Sequence, residues 1–181
     1  MKKIFFDQEA RNRILDGAGI LYRAVKTTMS PLGRNVVIKR PYGHTITHDG
    51  VTVAENIEVD NIELAVGADI IKEAAGKLNN EVGDGTTTVT VLTYNLMQQS
   101  EQLIRDGMNP MQVRAELEKV KNFLLEKLGD KVVELDDEKL IDVATISAGN
   151  AELGEMIAKL ALEVGKDGAI VTGKQIGRAH V

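Results

Sequence analysis

The strongest constraint on the fold is a recurring three- and four-residue spacing of aliphatic side chains. Ala10, Ile14, Leu15, Ala18, Leu21, Val25 and Met29 fall on one face of a helix beginning near Asp7, because 3.6 residues complete each turn. Val66, Ile70, Ile71, Ala74, Ala75 and Leu78 repeat the pattern and predict a second helix over 63–81, with these residues inward. Val89, Val91, Leu92, Leu96 and Leu103 predict a third, and Val113, Leu117, Val120, Leu124 and Leu128 a fourth. Pro31 and Gly33 stop the first helix, Gly107 the third and Gly129 the fourth, since proline and glycine punctuate helices. Asn109-Pro110 restarts the chain, with Asn as N-cap and Pro at the first helical position. Such a chain packs as helices, and an aromatic share of 3% without Trp makes its core aliphatic.

Shorter β-branched runs punctuate the helices. Residues 3–6 read as a short strand, and 35–39 and 45–47 as a hairpin turning at Pro41-Tyr42-Gly43. Asp49-Gly50 reads as another turn. Beyond Gly129 the pattern changes: 131–135 is a strand or an extended linker, Asp136 caps a helix through Ile146, and Asn150 starts another that ends at Gly165. Residues 169–172 read as a strand. A domain boundary is expected near Asp130.

Composition narrows the function. At 181 residues the chain holds one domain, or one and part of another. A net charge of −5 offers no dominant basic field for a nucleic-acid backbone. Without cysteine, disulfides, thiolate zinc sites and Cys nucleophiles are excluded. His44, His48 and His180 lack metal-ligand spacing. The apolar run near Met1 is too short for a signal peptide, and no stretch approaches a membrane span. The expectation is a soluble cytoplasmic protein.

Gly83-Asp84-Gly85-Thr86-Thr87-Thr88 carries the clearest chemistry. Two glycines let the backbone adopt positive φ and approach a ligand closely. The run opens a helix whose first N–H groups lack partners and favour an anion. Three threonines add hydroxyls, and Asp84 adds a hard carboxylate of the kind magnesium takes alongside phosphate oxygens. Taken alone, the run is equally an Asp/Thr cap on a core helix. It is not a Walker A loop, because no Gly-Lys-Ser/Thr follows at the required spacing. Thr28-Met29-Ser30-Pro31-Leu32-Gly33, read alone, is a helix stop. Asp49, read alone, is a turn former, although a carboxylate near a triphosphate can orient an attacking water.

The order of these pieces resembles the GroEL-type (group I) chaperonins. Residues 26–37, from Lys26 through Thr28-Met29-Ser30-Pro31 to Val37, look like that family's first nucleotide loop. Ile46-Thr47-His48-Asp49-Gly50-Val51-Thr52-Val53-Ala54 resembles the segment with its hydrolytic aspartate, and residues 83–88 its magnesium-phosphate motif. Gly107-Met108-Asn109-Pro110-Met111, Ala144-Thr145-Ile146-Ser147-Ala148 and Val164-Gly165-Lys166-Asp167-Gly168 follow in family order.

The resemblance implies a mainly α fold: a chaperonin equatorial-domain helical bundle with a small β-hairpin over 1–130, then the ascending part of an intermediate domain over 131–174. It implies an ATP-hydrolysing, ATP-dependent protein-folding chaperone subunit. ATP and Mg2+ would be its cofactors, and a homo-oligomeric double ring its assembly. Unfolded client proteins and a co-chaperonin would bind through domains outside this chain. Thr28, Met29, Ser30, Pro31 and His48 would line the nucleotide, Asp84 would hold magnesium, Gly85, Thr86, Thr87 and Thr88 would contact phosphates, and Asp49 would activate water. The hairpin would reach a neighbouring subunit.

The chain departs from the family at three positions. Ser30 stands where relatives have Gly, and Leu32 and His48 where they have Lys. Loss of two cations weakens electrostatic stabilisation of a triphosphate, so altered ATP affinity is expected. The competing readings are a ring-assembly scaffold without hydrolysis, favoured by Leu32 and His48, and a generic helical interaction domain, which Asp84 and the threonine run count against. The family's apical domain, returning intermediate segment and closing equatorial half are not represented, so the chain reads as an N-terminal portion, aggregation-prone and inactive alone. Ile176-Gly177-Arg178-Ala179-His180-Val181 is what the codons ATC GGA AGA GCA CAC GTC encode, a common sequencing adapter read in frame. Residues 175–181 are therefore expected to be a non-native tail.

Overall fold

In the computed structural model, which describes residues 3–30, 33–165, 168 and 170, the aliphatic repeats fold as seven helices and one hairpin. Helices α1 (Asp7–Lys26), α2 (Gly50–Asn56), α3 (Ile62–Val82), α4 (Thr86–Arg105), α5 (Pro110–Gly129), α6 (Asp137–Ala148) and α7 (Ala151–Val164) flank strands β1 (Val36–Lys39) and β2 (His44–Thr47). The chain divides into two compact units, Met1–Lys119 and Val120–Val181, and the division falls within α5.

In the first unit α1 lies against both α3 and α4. Its approach to α3 is set by two glycines: a Cβ on Gly17 would lie 1.8 Å from the Leu64 carbonyl oxygen, and one on Gly67 would lie 1.9 Å from that of Ile14. Backbones this close leave no room for a larger residue at either crossing point. Ala18, Leu21 and Val25 of α1, Val53 and Ala54 of α2, and Ala68 and Ile71 of α3 form the buried cluster. Fully burying each larger aliphatic side chain contributes about 1.5–3 kcal/mol. Tyr22 and Tyr94 stack with ring centroids 4.2 Å apart and join α1 to α4.

Polar capping matches the helix starts. Asn61 accepts from the Glu63 N–H at 3.0 Å, Asp136 from Lys139 at 2.9 Å and Asn150 from Leu153 at 3.0 Å, each cap worth about 1 kcal/mol. β1 and β2 pair antiparallel, with Val36 opposite Thr47 and Lys39 opposite His44. In the second unit α6 and α7 pack together, with Ala144, Gly154 and Ala158 buried between them.

Several expectations are corrected. Residues 3–6 run as irregular chain, not as a strand: among the described residues the sheet holds β1 and β2 alone, and residues 3–6 pair with neither. Val66 and Ile70 are 53% and 41% exposed, although the spacing put them inward. Ile71 and Ala75 are buried as the spacing predicts, and Gly67 and Ala68 complete the inner face of α3, with Gly67 permitting the close crossing with α1. Met29 lies beyond the end of α1. Residues 131–135 form an irregular connection, the linker alternative. The strand expected over 169–172 and the tail over 175–181 lie outside the described residues. Among the described residues, no helix is long and apolar enough to cross a membrane.

Candidate functional site

The link between α3 and α4 is three residues long, and two of them are left-handed. Gly83 caps α3 with φ 77°, donating its N–H to the Asn79 carbonyl at 2.9 Å, and Gly85 precedes α4 with φ 78°. An L side chain at either position would add strain, so glycine is required. Asp84 sits exposed between them, its Oδ1 accepting from the Gly85 N–H at 2.6 Å. Because Gly85 has no side chain and α4 has no acid in its first turn, the N-terminal N–H groups of this 20-residue helix keep their affinity for an anion. The three threonines separate. Thr86 is buried and its carbonyl accepts from the Thr90 hydroxyl at 2.9 Å, whereas Thr87 is half-buried and Thr88 exposed.

The loop leaving α1 closes on itself. The Thr28 hydroxyl donates to the Val25 carbonyl at 2.8 Å, the Gly33 N–H to the Ser30 carbonyl at 2.8 Å and the Arg34 N–H to the Thr27 carbonyl at 2.8 Å. Ser30 adopts φ 79°, a left-handed conformation that costs a non-glycine residue about 1–2 kcal/mol. Met29 is exposed, as is Ser30. Pro31 and Leu32 lie outside the described residues.

Asp49 is not the turn former that spacing predicts but the N-cap of α2. Its Oδ2 accepts from the Thr52 N–H at 2.9 Å and from the Thr52 hydroxyl at 2.6 Å, while its own N–H donates to Thr47 Oγ1 at 3.0 Å. Burial pushes its carboxyl up. The hydrogen bonds from Thr52 and the Val51 N–H, with the charge of neighbouring His48, outweigh that and hold it below the usual carboxylate value. His48 itself is exposed.

Gly50 brings the three segments together. A Cβ there would lie 2.0 Å from Thr87 Oγ1 and 3.4 Å from Thr28 Oγ1. The ends of α1 and the starts of α2 and α4 therefore meet at one point. Asp49 adjoins it through Gly50, and Asp84 reaches it along the chain through Gly85 and Thr86. Among the described residues, no three His, Asp or Glu side chains converge on a metal. The donor set suits a hard cation that takes one carboxylate from the protein and its other oxygens from a phosphate and water, so the residues present fit magnesium held with a nucleotide.

Two participants escape a sequence reading: Gly50 as the contact point and Thr52 as the partner of Asp49. The Asp-x-x-Thr spacing of an N-cap and its third helical residue was the available signal. It was obscured because α2 has only seven residues, among them β-branched Val51, Thr52 and Val53.

The profile of the TCP-1/cpn60 chaperonin family matches residues 21–173. A curated relative, the chloroplastic chaperonin GroEL of Cyanidium caldarium, is 40% identical over 172 residues, covering 93% of this chain. The chain spans 32% of that relative's length. A group III chaperonin crystallised in the open state superposes with TM-score 0.73 at 22% identity, over 86% of this chain and 32% of that one. The chaperonin gp146 of bacteriophage EL, crystallised in the presence of ATP-BeFx, superposes with TM-score 0.69 at 26% identity, over 84% of this chain and 28% of its own.

Proposed function

Because the chain belongs to the TCP-1/cpn60 chaperonin family, we propose that it supplies the phosphate-binding part of an ATP-hydrolysing, protein-folding ring. The observation that carries this reading is the meeting of Thr28, Gly50 and Thr87 at the start of α4, with Asp49 next to Gly50 and Asp84 three residues before Thr87 in the chain. Residues 1–130 are read as the first part of the equatorial domain, 131–174 as the ascending part of the intermediate domain, and 175–181 as a non-native tail. The subunit works in a homo-oligomeric double ring, in the cytoplasm, where a cysteine-free chain suits reducing conditions. Clients and a co-chaperonin bind elsewhere on the complete subunit.

Each residue has a distinct task. The α4 N–H groups, with Thr87 and Thr88, hold phosphate oxygens by the helix N-terminus and hydroxyl donors. Residues 28–31 line the nucleotide, with His48 near its phosphates. Asp84 holds magnesium, which neutralises charge on the phosphate oxygens when bound. Asp49 accepts a hydrogen bond from the attacking water and orients it. A carboxyl held low and ionised by Thr52 is a weak proton acceptor but a constant hydrogen-bond acceptor, which fits orientation better than proton abstraction.

Isothermal titration of the complete subunit with MgATP tests the reading. Binding is expected, weakened by Asp84→Ala far more without EDTA than with it. Asp49→Ala is expected to leave binding intact and cut turnover by about a hundredfold or more. Absence of MgATP binding in the unsubstituted subunit refutes the site, and undiminished turnover in Asp49→Ala refutes the role of Asp49.

A further inference from the structure

The hairpin is joined twice to α2, the helix that Asp49 caps, once at each end. At the first end the Asp49 N–H donates to Thr47 Oγ1, in the last residue of β2, at 3.0 Å. At the second, Arg40 Nη2 donates to Asn56 Oδ1, at the last residue of α2, at 3.0 Å. Arg40 follows β1 directly and opens the hairpin turn, its N–H donating to the Gly43 carbonyl at 3.0 Å. The attachment continues inward: Asn56 Nδ2 donates to the Thr52 carbonyl at 2.8 Å, and the Thr52 hydroxyl donates to Asp49 Oδ2 at 2.6 Å.

Length makes the double attachment possible. A seven-residue helix is about 10 Å long. The strand rise of about 3.4 Å per residue carries β2 the same distance. The chain runs along β2, reverses at His48-Asp49 and returns along α2, so the C-terminal end of the helix comes back level with the hairpin turn. The inner side of α2 is fixed differently, by Val53 and Ala54 in the buried core. The helix thus connects a surface hairpin to the interior and carries Asp49 at its tip.

We infer that Thr52 is a positioning residue for the Asp49 carboxylate, and that Arg40 and Asn56 tie the helix that carries it to the hairpin, so that the placement of the hairpin sets the turnover rate. The inference rests on the ATP-hydrolysis reading above. A displaced hairpin drags α2 at both ends, and Asp49 moves with its cap. Small displacements suffice, since an error of about 1 Å in a reacting geometry costs as much as a hundredfold in rate.

The test uses the complete ring-forming subunit, with ATP turnover and amide exchange of residues 52–54 measured on each variant. Thr52→Val keeps shape but removes the hydroxyl donor; it is expected to lower kcat about tenfold with KM for ATP unchanged and to speed exchange. Thr52→Ser is expected to restore both. Arg40→Ala, an exposed change that leaves the core intact, is expected to lower kcat about twofold to fivefold at constant KM and to speed exchange at the same amides. Arg40→Ala combined with Thr52→Val should be no slower than Thr52→Val alone, because both act along one chain of bonds. Arg40→Ala matching the unsubstituted ring in kcat and exchange overturns the link, as does unaltered kcat in Thr52→Val. Turnover surviving Asp49→Ala instead strikes the hydrolysis reading on which this inference rests.

Discussion

Thr87 Oγ1 fills the space that a side chain on Gly50 would need, 2.0 Å from where its Cβ would stand. The contact holds the start of α2, which Asp49 caps, against the start of α4. Gly50→Ala would force Thr87 to another rotamer, and Thr87 Cβ, 3.1 Å away, would remain crowded even then. The expected cost is about 1–3 kcal/mol, the range for overpacking a close-fitted position. Denaturant unfolding measures it. Combining Gly50→Ala with Thr87→Ala should recover part of the loss, and a fully additive double variant would show that the two residues do not compete for space.

Ser30 offers a change in the opposite direction. At φ 79° it occupies a conformation that glycine adopts freely. Relief of about 1–2 kcal/mol of backbone strain exceeds the ~0.4–1 kcal/mol by which glycine's freedom stabilises the unfolded chain. Ser30→Gly is therefore expected to raise stability by about 0.5–1 kcal/mol, read as a higher denaturation midpoint at unchanged m. A lower midpoint would mean that contacts of the serine side chain outweigh the strain.

Glu101 ties the C-terminal half of α4 to α1. Almost buried, it accepts from Gln8 Nε2 at 2.5 Å and Arg105 Nε at 3.0 Å, and pairs with Arg11 Nε at 3.0 Å. Burial pushes its carboxyl up, but the hydrogen bonds from Gln8 and Arg105 and the two guanidinium charges bring it below the ordinary value of 4.5. A carboxyl lower in the folded than in the unfolded state stabilises the fold above its unfolded value. The contribution is complete above about pH 4.5 and is lost as pH falls through the depressed folded value. Glu101→Gln should therefore cost stability at pH 7 and lose that difference in strong acid. About 2 kcal/mol is expected at neutral pH, below the ~3–5 kcal/mol for a wholly buried pair, because both arginines are part-exposed. Equal acid titration of stability in the two proteins would show that Glu101 contributes nothing through its charge.

Helices α1, α3, α4 and α5 were legible because aliphatic spacing and capping residues agree over many turns, as at Asn109-Pro110. Where they disagree, tertiary packing decides. Val66 and Ile70 follow the helical period of α3 but lie on its outer side, since the face that meets α1 is centred on Gly67, Ala68 and Ile71. The short helix α2 carries a strand-like sequence and owes its form to the Asp49 cap and to Val53 and Ala54 in the core. The individual site segments could be picked out from Gly83, Gly85, Asp84 and Asp49, whereas their meeting at Gly50 depends on helix crossings that no local pattern encodes.

The outer side of α4 yields the last prediction. Leu92 and Leu96 stand one turn apart and are 56% and 53% exposed, a stripe that neighbours at positions i and i+4 make continuous. Apolar surface of this kind promotes association in water. The 181-residue chain is expected to self-associate at micromolar concentration, and Leu92→Lys with Leu96→Lys to reduce this without loss of helix content. Light scattering and far-UV circular dichroism read the two effects separately. In the complete subunit the same pair should act in the opposite sense. If the remainder of the polypeptide covers this stripe, burying two lysines there costs several kcal/mol, of the order of the ~1.5–3 kcal/mol lost per leucine plus the cost of desolvating each charge, and ring assembly fails. A complete subunit that assembles normally with both lysines would show that the stripe stays in solvent.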